Sequence, residues 1–427
     1  MEEQQIQGDT FMPSVILPAS AEAAALWFDD VKLASKWSWK DGPNVVLGID
    51  GGATKTSCVA VAIHPSASEN VYASDCDTMD RWTLDARGFE DGTLSQNLLV
   101  LGRGTSGSAN HNSVGVAVAR RSLEEAMASA LQQAQLPRAA VRGICMGIAG
   151  VEPSAENEII KSWVRSIFPG CIPVWVYNDA IVALSSGTNG KLYGCVLIVG
   201  TGTIAFGVNQ SGAMAHASGW GPALGDKGSG HSIGTDALTA VARSLDGRGP
   251  PTSLTAAIMG HLRVSTAQEL ITWAYEDSSW ARIAALVPLV KASAESGDAE
   301  ALRIIDEAAA ELLLSVRVTA EKLNLARGGS GKDAFQAGAY DGEDGAELST
   351  GDGERSPHTA AKGRTFPLVL VGGVLKEGII LERFLGRLQK EIPSAKAVKP
   401  IVDPAVGAAM LAMTNIQASG TMLIGPA

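Results

Sequence analysis

The sequence has few cysteines, no excess of basic residues and no long apolar run, and each shortage excludes a class of protein. Its five cysteines form no Cys-x-x-Cys pair and no zinc-type spacing with any of the six histidines, which argues against a zinc site or a disulfide scaffold and for a reducing compartment. No apolar stretch approaches the roughly 20 residues that cross a bilayer. The acidic start, Met1-Glu2-Glu3, is unlike a targeting presequence. We therefore expect a cytoplasmic protein.

The charge balance excludes a second group of partners. Lys and Arg number 34 and Asp and Glu number 45, so the formal net charge is −11. An acidic surface repels nucleic acids and anionic lipids, so we expect neither a nucleic acid nor a membrane as a partner. A small nucleotide is still compatible with this charge, because backbone N–H groups and a metal ion can supply positive charge locally.

Length and composition predict several domains. A chain of 427 residues, 46% of them hydrophobic, is long enough for two or three domains with sizeable cores. Shifts in composition divide it into an extension (1–43) whose tryptophans are expected to pack on the body, a first domain (44–190), a second domain (191–413) and a tail (414–427). Two stretches without periodicity, 75–97 and 328–365, are interpreted as surface insertions, the second of them disordered.

Both domains begin with the same pattern. The apolar run 45–49 leads into Asp50-Gly51-Gly52, and the apolar run 195–199 leads into Gly200-Thr201-Gly202-Thr203. Each glycine turn is followed by a second apolar run, which predicts a β-hairpin. The first domain is predicted to continue as β-β-α-β-α-β-α. An internal repeat of this kind predicts a duplicated α/β fold.

The first glycine hairpin suits phosphate binding, because residues without a Cβ let backbone N–H groups approach phosphate oxygens closely. Thr54 and Lys55 would add a hydroxyl and an ammonium group to the N–H groups of Gly51 and Gly52. Asp50, at the end of the predicted strand, is placed to hold Mg²⁺ through water. An ordinary glycine turn explains this hairpin alone equally well.

The second hairpin, Gly200-Thr201-Gly202-Thr203, strengthens the phosphate interpretation by its likeness to the first. Two such hairpins facing one another would clamp a triphosphate between two domains. A glycine pair, Gly372-Gly373, follows another predicted strand and would let an adenine ring lie against the backbone. This third motif is weak when it is taken alone.

Two further motifs suit the acceptor of a phosphoryl group. Asp179, in Asn178-Asp179-Ala180 after a predicted strand, could aim an acceptor hydroxyl at the γ-phosphorus and take its proton. Taken alone, this motif is better explained as a helix N-cap. The glycine-rich loop 219–230 contains Trp220, whose ring could cover a sugar face, and Asp226, whose carboxylate could hold sugar hydroxyls.

Taken in order, these motifs resemble the BadF/BadG/BcrA/BcrD ATPase family and, within it, the N-acetylglucosamine kinases of eukaryotes. The segments that carry the resemblance are 48–56, 177–180, 197–203, 219–229 and 370–373. The likeness covers roughly residues 45–325 and 366–413. The combination is specific although each motif alone is weak.

The resemblance implies an α/β fold of two actin-like, ribonuclease H-like domains with a nucleotide cleft between them. It implies ATP and Mg²⁺ as cofactors, Asp50 at the metal and Asp179 as the catalytic base. The ATP contacts that it implies are Gly51, Gly52, Thr54, Lys55, Gly200, Thr201, Gly202, Gly372 and Gly373. The sugar contacts that it implies are Asn110, Asp179, Thr203, Gly219, Trp220, Gly221 and Asp226.

Two departures from the family pattern leave the acceptor open. Lys227 stands where the family usually has Glu, and Ile204 stands where a polar residue would help to hold the sugar. The resemblance implies phosphorylation of the 6-hydroxyl of N-acetyl-D-glucosamine. Alternatives are a kinase for glucosamine or another hexose, a non-catalytic sugar sensor, and an activating ATPase with an iron–sulfur cluster shared between subunits, against which the lack of a suitable cysteine pair argues. The oligomeric state is open, a homodimer included.

Overall fold

The computed structural model describes residue 27 and residues 44–52, 54–63, 83–84, 98–151, 155–168, 172–277, 279–326 and 365–418. The insertion 328–365, except its last residue, most of the insertion 75–97 and most of the extension lie outside the described residues. The chain forms two compact units, of which the first comprises Met1–Gly190 and Val402–Ala427 and the second Lys191–Ile401. Within the described residues, no helix has the length and apolar character that a membrane crossing requires.

The described strands are β1 (Val45–Gly51), β2 (Thr56–Ala62), β3 (Thr83–Leu84), β4 (Leu98–Ser106), β5 (Val141–Ile148), β6 (Val174–Asn178), β7 (Gly194–Val199), β8 (Thr203–Val208), β9 (Met214–Ser218), β10 (Phe366–Val371) and β11 (Ala395–Val398).

The described α-helices are α1 (His111–Val114), α2 (Val116–Ala134), α3 (Ala155–Ile167), α4 (Asp179–Gly187), α5 (Gly230–Leu245), α6 (Leu254–Leu262), α7 (Ala267–Glu276), α8 (Trp280–Ala284), α9 (Val287–Glu295), α10 (Ala299–Lys322), α11 (Ile379–Glu391) and α12 (Pro404–Ala418). Short 3₁₀ turns cover Arg138–Ala140 and Gly373–Leu375.

The two sheets have the same arrangement of strands when the second is read from its other end. The first unit has the order β3-β4-β2-β1-β5-β6, and the second has β11-β10-β7-β8-β9. In each, a central strand (β1 or β7) pairs antiparallel with its hairpin partner and parallel with a later strand (β5 or β10). Apart from the two-residue β3, each sheet therefore has three antiparallel strands followed by two parallel ones. This repeated order confirms the predicted duplicated α/β fold of two actin-like domains.

Helix α12 lies in the first unit, whereas the sequence-based division placed residues 402–413 in the second domain. Ala405–Ala412 are all buried, and α12 packs directly on β1. A Cβ at Gly48 would lie 2.0 Å from the carbonyl oxygen of Ala405 and 2.4 Å from the backbone nitrogen of Ala409. Because only glycine permits this approach, position 48 fixes the helix against the central strand.

Strand β4 was missed by the sequence analysis, which predicted no third strand before the first helix. Its residues Gly102 and Gly104 weaken the strand pattern, since glycine disfavours strands. Both are needed because a Cβ at either position would lie within 2.2 Å of a carbonyl oxygen of α2. The first domain is therefore β-β-β-α-β-α-β-α, with the very short β3 and α1 left aside.

Trp27 is the one described residue of the N-terminal extension, and it is buried in the core of the first unit. Its ring makes an edge-to-face contact with Phe168, with centroids 6.0 Å apart. Arg138 makes a second contact with the ring, and its guanidinium carbon lies 5.1 Å from the ring centroid. Such aromatic and cation–π contacts each stabilise a fold by about 1 kcal/mol. The expected packing of the extension is thus seen at Trp27.

Candidate active site

The parallel strands of the first unit bring two aspartates to one edge of the sheet. Asp50 pairs with Gly147 of β5, and Asn178 pairs with Ile148 of the same strand. Since carboxyl ends of parallel strands meet at one edge, Asp50 and Asp179 lie on the two sides of the end of β5. The sequence placed them in this relation only through the resemblance.

Asp179 is the first residue of α4 and does not cap it. The cap is Asn178, whose Oδ1 accepts a hydrogen bond from the backbone N–H of Ala180 at 3.0 Å. Burial raises the pKa of Asp179 to about 6, although the backbone N–H of Ala180 opposes the rise. The carboxylate is therefore not needed for the cap, and its pKa lies near the range in which a general base operates.

Asp50 is in a more strongly perturbed environment. Its pKa is raised to about 7, first by burial and then by the negative charges of Asp179 and Asp403, and Lys55 opposes this rise. Two further carboxylates thus raise the pKa of Asp50 at this edge. Excess negative charge of this kind favours a bound cation.

Asp403 was missed by the sequence analysis. It stands directly before α12, and its Oδ1 accepts a hydrogen bond from the backbone N–H of Ala405 at 3.1 Å. Its Oδ2 lies 3.8 Å from Nη1 of Arg103. The pattern Asp-Pro before a run of small residues is a helix-start signal, but nothing local in the sequence links it to Asp50.

The first hairpin is tied to the segment that contains Asn110. The hydroxyl of Ser108 donates to the carbonyl oxygen of Gly52 at 3.2 Å and accepts from the backbone N–H of Asn110 at 3.1 Å. The Gly52 N–H closes the turn on the carbonyl oxygen of Lys55 at 2.9 Å. Both Thr54 and Lys55 are exposed. The structure therefore brings Asn110 next to the predicted phosphate hairpin, with the hairpin side chains accessible to a ligand.

The second hairpin is joined to the start of α5. The N–H of Gly230 donates to the carbonyl oxygen of Gly200 at 2.8 Å, and the N–H of His231 donates to that of Thr201 at 3.1 Å. Ser229 caps α5 by accepting from the N–H of Ser232. The positive end of the α5 dipole thus lies beside the hairpin, which suits an anionic group.

Gly372 lies against the same hairpin. It has φ +104°, and a Cβ there would lie 2.1 Å from the carbonyl oxygen of Val199. Strands β7 and β10 are parallel neighbours, with Ile198 paired to Val371, so their carboxyl ends meet. The predicted adenosine motif and the predicted phosphate hairpin of this unit are therefore adjacent, as a single nucleotide requires.

The loop after β9 exposes an aromatic ring. Trp220 is 61% exposed, and its ring centroid lies 6.4 Å from that of His216. The flanking Gly219 and Gly221 have φ +83° and +85°, and these left-handed conformations hold the tryptophan outward. An exposed ring on such a loop can stack on an apolar sugar face.

Thr203 and Asp226 have roles within the protein that the sequence analysis did not predict. Thr203 is buried, and its hydroxyl donates to the carbonyl oxygen of Ile198 at 3.0 Å. The geometry therefore does not support its assignment as a sugar contact. Asp226 is also buried and accepts hydrogen bonds from its own loop and from the hairpin.

The donor set at Asp50 fits a magnesium ion held with few protein ligands. Among the described residues, no group of three or more His, Cys, Asp or Glu side chains could by itself hold a metal ion. Mg²⁺ commonly keeps several waters and is bound by one or two carboxylates together with substrate phosphates. Asp50, with its crowded negative charge, is the carboxylate that suits this role.

The chain is similar in sequence to known kinases. The chain is 32% identical to N-acetyl-D-glucosamine kinase of Dictyostelium discoideum over 87% of its own length and 98% of the relative. It is 33% identical to N-acetylmuramic acid/N-acetylglucosamine kinase of Clostridium acetobutylicum over 66% of its length and 80% of the relative.

Solved structures share the fold. One from Chromobacterium violaceum, solved as a candidate N-acetylglucosamine kinase, has a TM-score of 0.58 and 22% identity, and the match covers 86% of this chain and 99% of that one. The profile of the BadF/BadG/BcrA/BcrD ATPase family matches residues 47–338. This chain therefore belongs to the BadF/BadG/BcrA/BcrD ATPase family.

Proposed function

We propose that this chain is an ATP-dependent sugar kinase that phosphorylates the 6-hydroxyl of N-acetyl-D-glucosamine to give N-acetylglucosamine 6-phosphate. The observation that carries the proposal is Asp179, a partly buried carboxylate with a pKa of about 6 that is released from capping by Asn178. The long match to the Dictyostelium kinase supports the acceptor.

Asp179 carries out the proton transfer in this proposal. Its carboxylate accepts a hydrogen bond from the 6-hydroxyl and aims the oxygen at the γ-phosphorus of ATP. The new bond joins the sugar oxygen to that phosphorus, the bond to the β-phosphate oxygen breaks with its electron pair, and the hydroxyl proton passes to Asp179. Because the transition state of such transfers is loose, orientation contributes as much as proton removal.

The remaining residues bind and orient. Thr54 and Lys55 contribute hydroxyl and ammonium donors to phosphate oxygens, and Gly51 and Gly52, which have no side chain, let those oxygens approach the backbone closely. In the second unit, the hairpin 200–202 contributes the N–H groups that are not used within its own turn, and the glycine pair 372–373 receives the adenosine. Mg²⁺, when it is bound near Asp50, supplies positive charge to the phosphates.

Sugar binding is assigned to Asn110 in the first unit and to the loop 219–221 in the second. Trp220 offers its exposed ring to the sugar face. We place the protein in the cytoplasm and leave a homodimer as one assembly to be tested.

The activating-ATPase alternative finds no support in the described cysteines. Cys58, Cys145 and Cys195 are free and buried, and burial raises the pKa of each thiol. A buried, protonated thiol is a poor cluster ligand. Cys76 and Cys171 lie outside the described residues.

The test is ADP release with Mg²⁺ across N-acetylglucosamine, glucosamine, glucose and N-acetylmuramic acid, comparing wild type with Asp179→Asn. Loss of a general base typically costs about 10²–10⁴ in turnover, so we expect kcat to fall by that factor while ADP still binds in calorimetry. Asp246→Asn, which removes the charge of an exposed aspartate that pairs with Arg248, is the control and should leave kcat unchanged.

Near-normal turnover of Asp179→Asn would reject the base assignment. Release of ADP with none of the four sugars, by a wild-type protein that binds ADP, would reject the kinase itself. A higher kcat/KM with another sugar would retain the kinase and correct the acceptor.

A further inference from the structure

The segment 107–110 leads from the end of β4 to Asn110 and lies beyond the edge of the sheet. Pairing between β2 and β4 ends at Thr56 and Ser106, and the four residues that follow are neither helix nor strand. The carbonyl oxygen of Asn110 accepts a hydrogen bond from the backbone N–H of Val114 at 3.1 Å, where α1 begins. Strand pairing therefore does not by itself fix the place of Asn110.

Thr56 holds the start of this segment through its hydroxyl. The residue is fully buried and lies at the base of the first hairpin, where it pairs with Gly51. Its Oγ1 donates a hydrogen bond to the carbonyl oxygen of Gly107 at 2.7 Å. A buried hydroxyl is stable only with such a partner. Thr56 thus fixes the backbone of the first residue after β4.

Ser108 holds the segment one residue further along. Its hydroxyl donates to the carbonyl oxygen of Gly52 at 3.2 Å and accepts from the backbone N–H of Asn110 at 3.1 Å. The next residue, Ala109, is buried, and its Cβ would lie 3.0 Å from a Cβ at Gly51. The segment 107–110 therefore lies along the hairpin, where two hydroxyls and one methyl group hold it.

The hairpin itself has further anchors. Strands β1 and β2 pair along their whole length, and the N–H of Gly52 closes the turn on the carbonyl oxygen of Lys55 at 2.9 Å. The N–H of Ala149 donates to the carbonyl oxygen of Gly51 at 2.8 Å. The dependence is therefore one-sided, because the segment 107–110 is held by the hairpin, whereas the hairpin is held by the sheet.

We infer that Thr56 and Ser108 are positioning residues that set the place of Asn110 through the backbone of the segment 107–110. The assignment of Asn110 to the sugar rests on the proposed function, whereas the two hydroxyl contacts do not. Loss of either hydroxyl therefore weakens sugar binding. It leaves nucleotide binding as it is, because the sheet still holds the hairpin.

Thr56→Val and Thr56→Ser test the inference, because valine keeps the shape of threonine without the hydroxyl and serine keeps the hydroxyl. We expect Thr56→Val to raise the KM for N-acetylglucosamine by about two- to tenfold, as for the loss of one hydrogen bond, with kcat unchanged. The Kd for ADP with Mg²⁺, measured by calorimetry without sugar, should stay at the wild-type value. Thr56→Ser should keep the KM near that of the wild type. Hydrogen exchange at the amide of Asn110 should become faster in Thr56→Val and not in Thr56→Ser.

Thr319→Val is the matched control. Thr319 is likewise fully buried, and its hydroxyl donates to the carbonyl oxygen of Ser315 at 2.9 Å within α10 of the second unit. This change should lower the free energy of unfolding and leave the KM for sugar and the Kd for ADP unchanged. An equal rise in KM with Thr319→Val would assign the effect to a general loss of stability and overturn the inference.

Equal KM values for Thr56→Val and Thr56→Ser would also overturn it. A rise in the Kd for ADP as large as the rise in KM would do the same, because it would place the effect in the hairpin. If Thr56→Val does not fold, Ser108→Ala removes the other hydroxyl and must raise the KM with an unchanged Kd for ADP. If the wild type phosphorylates no sugar, the proposed function fails, whereas exchange at the amide of Asn110 still decides whether the hydroxyls hold the segment.

Discussion

Asn178 and Asp179 are neighbours in sequence, yet the structure gives them separate tasks. The asparagine caps α4, and the aspartate that follows it is left in a partly buried place where its pKa rises to about 6. The charged form of Asp179 therefore lowers the free energy of unfolding. Active sites commonly contain groups that destabilise the fold, because the protein itself must not satisfy all the hydrogen bonds of a reactive group.

Asp179→Asn should therefore stabilise the fold at neutral pH while it lowers kcat by about 10²–10⁴. The folded-state pKa of about 6 lies above the ordinary value of 3.8, so the folded protein binds more protons than the unfolded chain between these values. The wild-type free energy of unfolding thus falls as pH rises through this window. Above it, the variant should be more stable by up to about 3 kcal/mol, as measured by urea denaturation without Mg²⁺.

The difference in free energy of unfolding between Asp179→Asn and wild type should become smaller as the pH is lowered toward 3.8 and should vanish below it. Asp246→Asn is the control, and its effect on the free energy of unfolding should have the opposite sign, because the hydrogen bond from Arg248 lowers the pKa of Asp246. The ionised side chain of Asp246 stabilises the wild-type fold at neutral pH, and this stabilisation is lost on acidification. If the difference in free energy of unfolding between Asp179→Asn and wild type did not change with pH, the raised pKa of Asp179 could not be its cause.

Candidate site residues could be selected from the sequence where the signal is local. Asp50 and Asp179 each follow an apolar run, and the glycines of both hairpins mark their turns. Asp403 could not be found in this way, because its effect on Asp50 arises from a fold that returns α12 to the first sheet. The internal roles of Asp226 and Thr203 depend likewise on contacts between segments that a linear pattern does not connect.

At the scale of elements, close packing of backbone against backbone decides which glycines are required. Gly407 of α12 faces α4, and a Cβ there would lie 2.7 Å from the carbonyl oxygen of Val182 and 2.8 Å from the backbone nitrogen of Ser186. Ser185 adds a hydrogen bond from its hydroxyl to the carbonyl oxygen of Gly407 at 2.9 Å. The two helices are thus held at a separation that a methyl group would not permit.

Gly407→Ala should lower the free energy of unfolding by about 1–3 kcal/mol, because the added methyl group has no room against α4. Gly386→Ala is the matched control, since Gly386 also lies within a helix, α11, and a Cβ there would meet nothing within 4 Å. That change should stabilise by up to about 1 kcal/mol. Thermal and urea unfolding of both variants check the pair, and equal shifts would contradict the packing argument.

Strands that are continuous apolar runs were predicted, and those shaped by packing were not. Strands β1 and β7 contain the apolar runs 45–49 and 195–199 from which they were predicted. In strand β4 such a run is interrupted by two glycines, which serve the approach of α2. A propensity argument cannot distinguish a glycine that ends a strand from a glycine that lets a helix come close.

On the scale of the whole molecule, the chain leaves the first unit at Gly190 and re-enters it at Val402. The re-entering segment makes a hydrogen bond from the backbone N–H of Val402 to the carbonyl oxygen of Ser186 at 3.2 Å. It then buries α12 against β1 and β5, where Ile416 fills the space left by Gly143. The first unit is therefore incomplete without residues from both parts of the sequence.

A chain that ends at residue 401 should lose the stability of its first unit and retain that of its second. Without α12, the apolar face of β1 would be exposed to water. We expect limited proteolysis to degrade residues 44–190 while 191–401 resists. A chain that ends at residue 418 keeps α12 whole and should unfold like the full protein; equal protease resistance of both shortened chains would contradict the role given to α12.

The same connectivity sets an order of events on the ribosome. Lys191–Ile401 emerges as one uninterrupted stretch and can close as soon as it has left the exit tunnel. The strands translated before it must wait for a helix translated after it, so the earlier half matures later, against the usual N-to-C order. During that delay, the groove at Gly48 that receives α12 is open to a chaperone or to the same helix of a second nascent chain.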